Sequence, residues 1–318
     1  MAVGNMKAIK RRIKSVSSTM QITKAMEMVA SSKLRRAKKK EKETLPFFLA
    51  QQELLKSIYN SNNIETKFAP NPAREVKNSL YIVIAGDKGL AGGYNSNVFK
   101  KVKAVHEESG KPDLKAIAIG KKAVDFFEKQ ETHELIVERP GIAENIKSGH
   151  CTEIVDEAIK LFLNGEVDEV KLIYTRFVSS MIQETEVMQL LPLQISRDGD
   201  GNSELLLKGK PGERDSVSTG DSLAKSESDS DKKPIDPDFD PTPEAVFNRV
   251  VPQALSGIVQ CAITESYTSE LCARQMAMES ASDNAADMID NLSLVYNRAR
   301  QEKITNEINE IVGGANAL

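Results

Sequence analysis

The residues best placed to do chemistry are Gly86-Asp87-Lys88-Gly89-Leu90-Ala91-Gly92-Gly93. They directly follow the β-branched run SLYIVIA (Ser79 to Ala85). A glycine-rich turn between a strand and a helix can offer backbone N–H groups to a phosphate. The spacing, however, is neither GxGxxG nor GxxxxGK[ST], and no Lys-Ser/Thr pair follows to reach a terminal phosphate and its magnesium. Nor does an acid end the second strand, where Ile119 leads into Gly120 and Lys121. A structural or protein-contact turn is the preferred reading. A nucleotide-binding α/β protein using Gly86 to Gly93 is the alternative, and binding of ATP or ADP by the isolated chain discriminates the two.

The other reactive types are scattered. His106, His133 and His150 fall on separate elements, and none pairs with a serine or cysteine in a nucleophile motif. Cys151, Cys261 and Cys272 form no CxxC and no metal-ligand spacing, and Cys261 and Cys272 lie too far apart on one helix for a disulfide. Reduced thiols are expected, with no catalytic residue, no metal and no cofactor.

The elements that carry these residues alternate in period. After an Asn- and Pro-containing linker from Asn60 to Lys77, strands are expected at 79–85, 115–119, 134–138, 169–177 and 184–192. Helices are expected at 98–109, 121–129 and 143–164, and the last strand is expected to run antiparallel. This is a Rossmann-like, doubly wound α/β domain over 78–195 with a five-stranded sheet. Residues 196–240 change character, with twelve acids, seven bases and few apolar side chains besides Leu205-Leu206-Leu207. They read as a mobile acidic insertion, with a short hairpin around the leucines.

Both ends of the chain read as long helices, over 1–60 and 241–318. The second opens with Thr242-Pro243-Glu244, which supplies a cap, a first-turn proline and a first-turn acid. Met278, Ala281, Ala285, Met288, Leu292, Val295 and Ala299 follow a 4-3 rhythm, which slips and resumes as Ile304, Ile308, Ile311 and Ala315. At the N-terminus, Ile9, Ile13, Val16 and Met20 give one seam and Ile22, Met26 and Val29 an offset one. A register break is therefore expected near Met20 and another near Ala299. Uninterrupted, the last helix would be on the order of 100 Å long, more than a compact domain buries. Residues 1–45 carry thirteen Lys/Arg and three acids, and residues 243–318 carry five and ten. Two such helices are complementary as side-by-side partners. The basic run Lys33 to Lys42 is either a solvated face or a surface toward acidic loops of a partner. Nucleic-acid binding is disfavoured, because an apolar seam runs through the same residues. The longest apolar run, Leu80 to Ala85, is too short to insert in a membrane.

IKRRIKSVSSTMQITKAMEMVASSKLRRA (Ile9 to Ala37), GDKGLAGGYN (Gly86 to Asn95), ARQMAMESASDNA (Ala273 to Ala285) and YNRARQEKITNEINEIVGGANAL (Tyr296 to Leu318) resemble, in order, the signatures of the γ subunit of F-type ATP synthases. The resemblance implies a long antiparallel coiled coil of the two terminal helices, forming the central stalk of F1, with the α/β domain at its foot. It implies a non-catalytic rotor that couples ion flow through the c-ring to ATP synthesis or hydrolysis on the catalytic subunits. Its implied partners are the α and β subunits of the α3β3 ring, the ε subunit and the c-ring. By position, Met26 matches the methionine that meets the β-subunit lever, and Arg274, Arg300, Gln301, Thr305 and Glu307 match polar residues of coupling and subunit contact. The implied location is the cytoplasmic face of a bacterial inner membrane, peripheral, as part of F1. Chloroplast relatives carry a cysteine pair in an insert at this place. Residues 196–240 contain no cysteine, so no thiol switch is expected there.

Overall fold

The computed structural model describes residues 2–62, 64, 66–69, 76–110, 114–129, 133–197, 203–206, 239–240 and 242–315. The elements run α1 (Ala2–Asn62), β1 (Ser79–Ile84), α2 (Tyr94–Ser109), β2 (Leu114–Ile119), α3 (Lys121–Phe127), β3 (His133–Arg139), α4 (Ser148–Leu163), β4 (Glu169–Phe177), β5 (Gln183–Leu191), β6 (Gln194–Arg197), β7 (Ser203–Leu206) and α5 (Pro243–Ala315). The chain forms two compact units. One comprises Met1–Lys33 with Arg274–Leu318, the other Leu34–Ala273.

In the larger unit the sheet order is β3-β2-β1-β4-β5. β1 pairs in parallel with β2 and β4, β2 in parallel with β3, and β5 lies antiparallel to β4. This is the doubly wound order, with the strand order reversing between β1 and β4. Every residue of β1 is buried, as a parallel strand covered on both faces requires. Tyr81 and Val83 join Ala116, Ala118, Val98, Val102 and Phe127 under α2 and α3. Leu80, Ile82 and Ile84 face the other way, into a larger core of α4 with parts of α1 (Phe48, Leu55, Ile58) and α5 (Phe247, Val251, Ile258). α1 and α5 run antiparallel here: Tyr59 stacks near Phe247 with centroids 5.6 Å apart, and Phe48 approaches Gly257. A Cβ at Gly257 would meet Gln51 Oε1 at 2.6 Å and the Phe48 ring at 3.6 Å, so α1 side chains pack directly on the glycine.

The cap read at Thr242 is present, with Ala245 N donating to Thr242 Oγ1 at 3.2 Å. Two helix starts differ from expectation. α2 begins at Tyr94 rather than Val98, because Tyr94 is itself buried and Asn97 N already bonds to Gly93 O. α4 begins at Ser148 rather than Ala143. Ala143 and Ile146 are buried from a loop instead, and Lys40 Nζ donates to the Ile146 carbonyl at 3.0 Å. The hairpin expected around the leucines is β6–β7, with Ile195 opposite Leu205 and Gln194 opposite Leu206. The mobility expected of residues 196–240 falls, apart from 196–197, 203–206 and 239–240, outside the described residues.

In the smaller unit the inward positions of α1 are Ile9, Ile13, Val16, Met20, Thr23, Glu27 and Ala30. Those of α5 are Met278, Ser282, Ala285, Ile289, Leu292, Tyr296, Ala299 and Lys303. Both sets keep 4-3 spacing without interruption. The register breaks expected near Met20 and Ala299 are therefore absent. The seam passes through polar residues, while Ile22, Val29, Met288 and Val295 stand one position away and are exposed. Hydrophobicity shifted off the seam, but its period did not. Thr23 Oγ1 and Ser282 Oγ lie 2.8 Å apart, Ser282 being buried. One hydroxyl donates across the pair, and the other donates back to a carbonyl of its own helix, Met20 O or Met278 O.

Candidate functional site

The glycine-rich turn is a junction rather than a cradle. Gly86 N donates to Asn95 Oδ1 at 2.9 Å, and Asn95 Nδ2 donates to Lys88 O at 3.3 Å, so the first turn of α2 pins both limbs of the loop. Asp87 Oδ1 accepts from Lys121 N at 2.9 Å and from Gly141 N at 2.8 Å. One carboxylate thus ties together the loops that follow β1, β2 and β3. Gly120 has φ +92°, and a side chain there would collide with the Ala85 carbonyl oxygen, so glycine is required on both counts.

In a doubly wound sheet a nucleotide lies beyond the strand ends at the switch point, here between β1 and β4. α5 fills that space. β4 outruns β1, whose last pair with it is Val83–Ile173. The amides left without a strand are taken by α5 side chains: Thr175 N donates to Ser266 Oγ and Phe177 N to Glu265 Oε1, each at 3.0 Å. Ser269 Oγ donates to Thr175 O at 3.4 Å. A Cβ placed on Gly86 would lie 2.8 Å from the Glu270 carboxylate, the group that stands where a phosphate would approach. A buried carboxylate against the loop backbone repels an anion. The alternative of a nucleotide-binding turn fails on this geometry. The buried run Thr264 to Glu270 was not singled out from the sequence. Its signal is seven residues without an aliphatic side chain, directly after the largely apolar stretch Ala254 to Ile263.

Burial also sets the ionisable groups here. It pushes the Tyr174 hydroxyl well above its ordinary range, an effect reinforced by Glu265 and Glu186. Burial raises the thiols of Cys151 and Cys261 to about 12. Both are inert as thiolates near neutral pH.

The residues matched by resemblance to subunit contact occupy the smaller unit. Met26 is half-buried at the flank of the α1 seam, three residues past Thr23, and Arg274 is half-buried at the start of this unit's α5 segment. Arg300, Gln301, Thr305 and Glu307 are exposed, with Glu307 paired to Lys303 at 3.2 Å. Arg300 and Glu307, seven residues apart, share one face of α5, and Gln301 and Thr305 share the next. The structure does not gather all six. Arg300 is 18 residues beyond Ser282, on the order of 27 Å along the helix from the level of Thr23 and Met26.

Among the residues whose burial is described, Lys303 is the last half-buried position of α5; Ile304, Ile308, Ile311 and Val312 are exposed, Ile311 at 72%. The 4-3 apolar stripe continues along α5 past that point. In water it is uncovered, which marks an interaction surface. Among the described residues no group of His, Cys, Asp or Glu could hold a metal ion, and no helix is long and apolar enough to cross a membrane.

The family model for ATP synthase matches residues 5–318. The ATP synthase gamma chain of Ruminococcus albus is 43% identical over 314 residues, covering 97% of each chain. That of Alkaliphilus metalliredigens is 42% identical over 318 residues, covering 100% of both. The sodium ion specific gamma chain of Acetobacterium woodii is 42% identical, covering 99% of both. A chain of the Euglena gracilis mitochondrial ATP synthase shares the fold with a TM-score of 0.64 at 18% identity, covering 99% of this chain and 94% of that one. The chain therefore belongs to the ATP synthase gamma chain family.

Proposed function

We propose that this chain is the central rotor subunit of an F-type ATP synthase, transmitting torque between the ion-driven c-ring and the catalytic β subunits. It is non-catalytic, and the nucleotide chemistry belongs to the surrounding α and β subunits. The observation that carries this reading is the unbroken antiparallel seam of the smaller unit, from which α5 emerges with exposed apolar side chains. A torque-bearing element must resist twisting, and continuous 4-3 packing with a hydrogen-bonded Thr23–Ser282 layer provides that resistance. It must also be asymmetric about its axis. With no register breaks, the uncovered stripe Ile304, Ile308 and Ile311 of α5 supplies the asymmetry.

The partners are the α3β3 ring around the helical part, the ε subunit and the c-ring. Met26, Arg274, Arg300, Gln301, Thr305 and Glu307 form contacts that couple rotation to the catalytic subunits. Residues 1–60 and 241–318 serve as the coiled coil, 78–195 as the α/β domain and 196–240 as an acidic insertion. The assembled subunit is peripheral to the membrane, on the cytoplasmic face of a bacterial inner membrane. Reconstitution tests the reading. Complex assembled with the chain synthesises ATP from an ion gradient, whereas complex assembled without it retains no gradient-driven synthesis. Coupled synthesis in the chain's absence overturns the proposal.

A further inference from the structure

The turn between β4 and β5 holds two apolar side chains out in water, and holds them firmly. Ser179 organises it. Its Oγ accepts from Met181 N at 3.3 Å and Ile182 N at 3.1 Å, and its own amide donates to Ile182 O at 3.0 Å. Gln183 Nε2 donates to the carbonyls of Ser179 and Ser180 at 3.3 and 3.0 Å. From α5, the Cys272 thiol donates to Ser180 O at 3.2 Å. Even so, Met181 is 80% and Ile182 51% exposed. A single exposed apolar residue is ordinary. Two adjacent ones on a turn this well tied are preorganised, so that docking them costs little ordering entropy.

What lies beside the turn is basic. Phe177, at the end of β4, packs with Leu34 and Ala37 of α1 and with Leu271 and Cys272 of α5. Lys38 Nζ sits 4.9 Å from the Phe177 ring centre. Around α1, Arg35, Lys39 and Lys42 lie within about 100° of Lys38 and are exposed. Glu184 and Glu186 pair with Arg176 at 3.2 and 2.8 Å, and Glu43 lies 3.9 Å from Lys39.

We propose that the β4–β5 turn is a docking anchor, with Met181 and Ile182 entering an apolar recess on an acidic segment of a neighbouring subunit whose carboxylates meet Arg35, Lys39 and Lys42. The charge of this α1 face selects an acidic partner, and the rigid apolar tip selects one with a recess. The inference rests on the chain acting as a subunit of the assembled complex and adds a contact made by the larger unit.

The test places a benzophenone maleimide on Met181→Cys and irradiates the purified, reconstituted complex. Cys151, Cys261 and Cys272 are buried, so the isolated chain, labelled before reconstitution, takes the label at position 181. The expected result is an adduct with a neighbouring subunit, mapped to a peptide bearing several carboxylates. Its yield falls with added salt and with Arg35→Glu combined with Lys39→Glu. The double variant Met181→Asp, Ile182→Asp then weakens association about tenfold, the scale of losing an apolar anchor, whereas the remote Lys101→Asp does not. A complex that assembles and synthesises ATP but gives no adduct overturns the proposal. So does an adduct to lipid, to a second copy of the chain, or to a peptide without acids. Such a failure leaves the rotor reading intact, because omission of the chain tests that separately.

Discussion

Between Ala254 and Cys272 most side chains of α5 are buried, polar ones included; between Met278 and Lys303 burial follows one stripe, with a seam position at every third or fourth residue. One continuous helix thus meets two environments. In the larger unit it is a core element, packed on α1 and α4 and bonded to the end of β4 by Glu265 and Ser266. In the smaller unit it has one partner and a wet back. A residue's contribution should therefore depend on which stretch holds it. Phe247, fully buried against Tyr59, is expected to cost about 3–5 kcal/mol as Phe247→Ala. Leu292, half-buried in the seam, should cost clearly less as Leu292→Ala. Urea unfolding of the two full-length variants measures the difference, and equal losses would remove the distinction drawn between the stretches.

Next in size is the junction that α5 makes with the glycine-rich turn. Gly86→Ala puts a Cβ 2.8 Å from the Glu270 carboxylate, and relief requires that buried carboxylate or the loop to shift, costing about 1–3 kcal/mol. If that carboxylate is the obstacle, Glu270→Ala combined with Gly86→Ala recovers much of the loss caused by the glycine change alone. A double-mutant cycle with no coupling between the two positions would sink this account.

Much of the larger unit was legible in the chain. The strand at Glu169 to Phe177 has the residues expected, the antiparallel fifth strand lies beside it, and the Thr242 cap is in place. The β-branched runs and the glycine turns carry this information locally. What the pattern hid is non-local. Nothing near Gly86 in the sequence says that Glu270, 184 residues away, fills the crevice above it. Nor does spacing around Glu265 show that its carboxylate accepts a bond from β4. In the smaller unit the expected seam holds at Ile9, Ile13, Val16, Met20, Met278, Ala285, Leu292 and Ala299; it is one position off at Ile22, Val29, Met288 and Val295, because the apolar pattern leads away from packed positions such as Thr23, Glu27 and Ser282. Of the six residues matched by resemblance, the geometry gives their faces and exposure. The partners they meet are in other chains, and no single-chain pattern contains them.

The buried thiols separate the two environments by pH. Cys151 and Cys261 lie in the larger core, and their folded-state values, about 12, exceed those of an exposed thiol. A raised value means that the neutral form is favoured in the folded state. The associated stability is complete below about pH 8.5 and is lost as the pH climbs from there toward 12. Cys151→Ala should therefore flatten the alkaline decline in unfolding free energy, measured by urea titration across that window. An unchanged decline would assign it to other groups, the buried Tyr174 among them.

The finest test separates neighbours in the smaller unit. Ile22 is more hydrophobic than Thr23, so an apolar-seam reading makes Ile22 the packing residue. The structure reverses them: Ile22 is 61% exposed, while Thr23 lies in the seam, 2.8 Å from Ser282. Ile22→Ala should then change the stability of the chain by no more than about 0.5 kcal/mol. Thr23→Val, nearly the same shape without the hydroxyl, removes the cross-helix bond while Ser282 Oγ keeps the Met278 carbonyl, and should cost about 1 kcal/mol. Combining Thr23→Val with Ser282→Ala should cost less than the sum of the singles, since the one cross-helix bond is lost only once. Unfolding of the four full-length variants decides the matter. A larger loss from Ile22→Ala than from Thr23→Val would restore the offset seam and the register break with it.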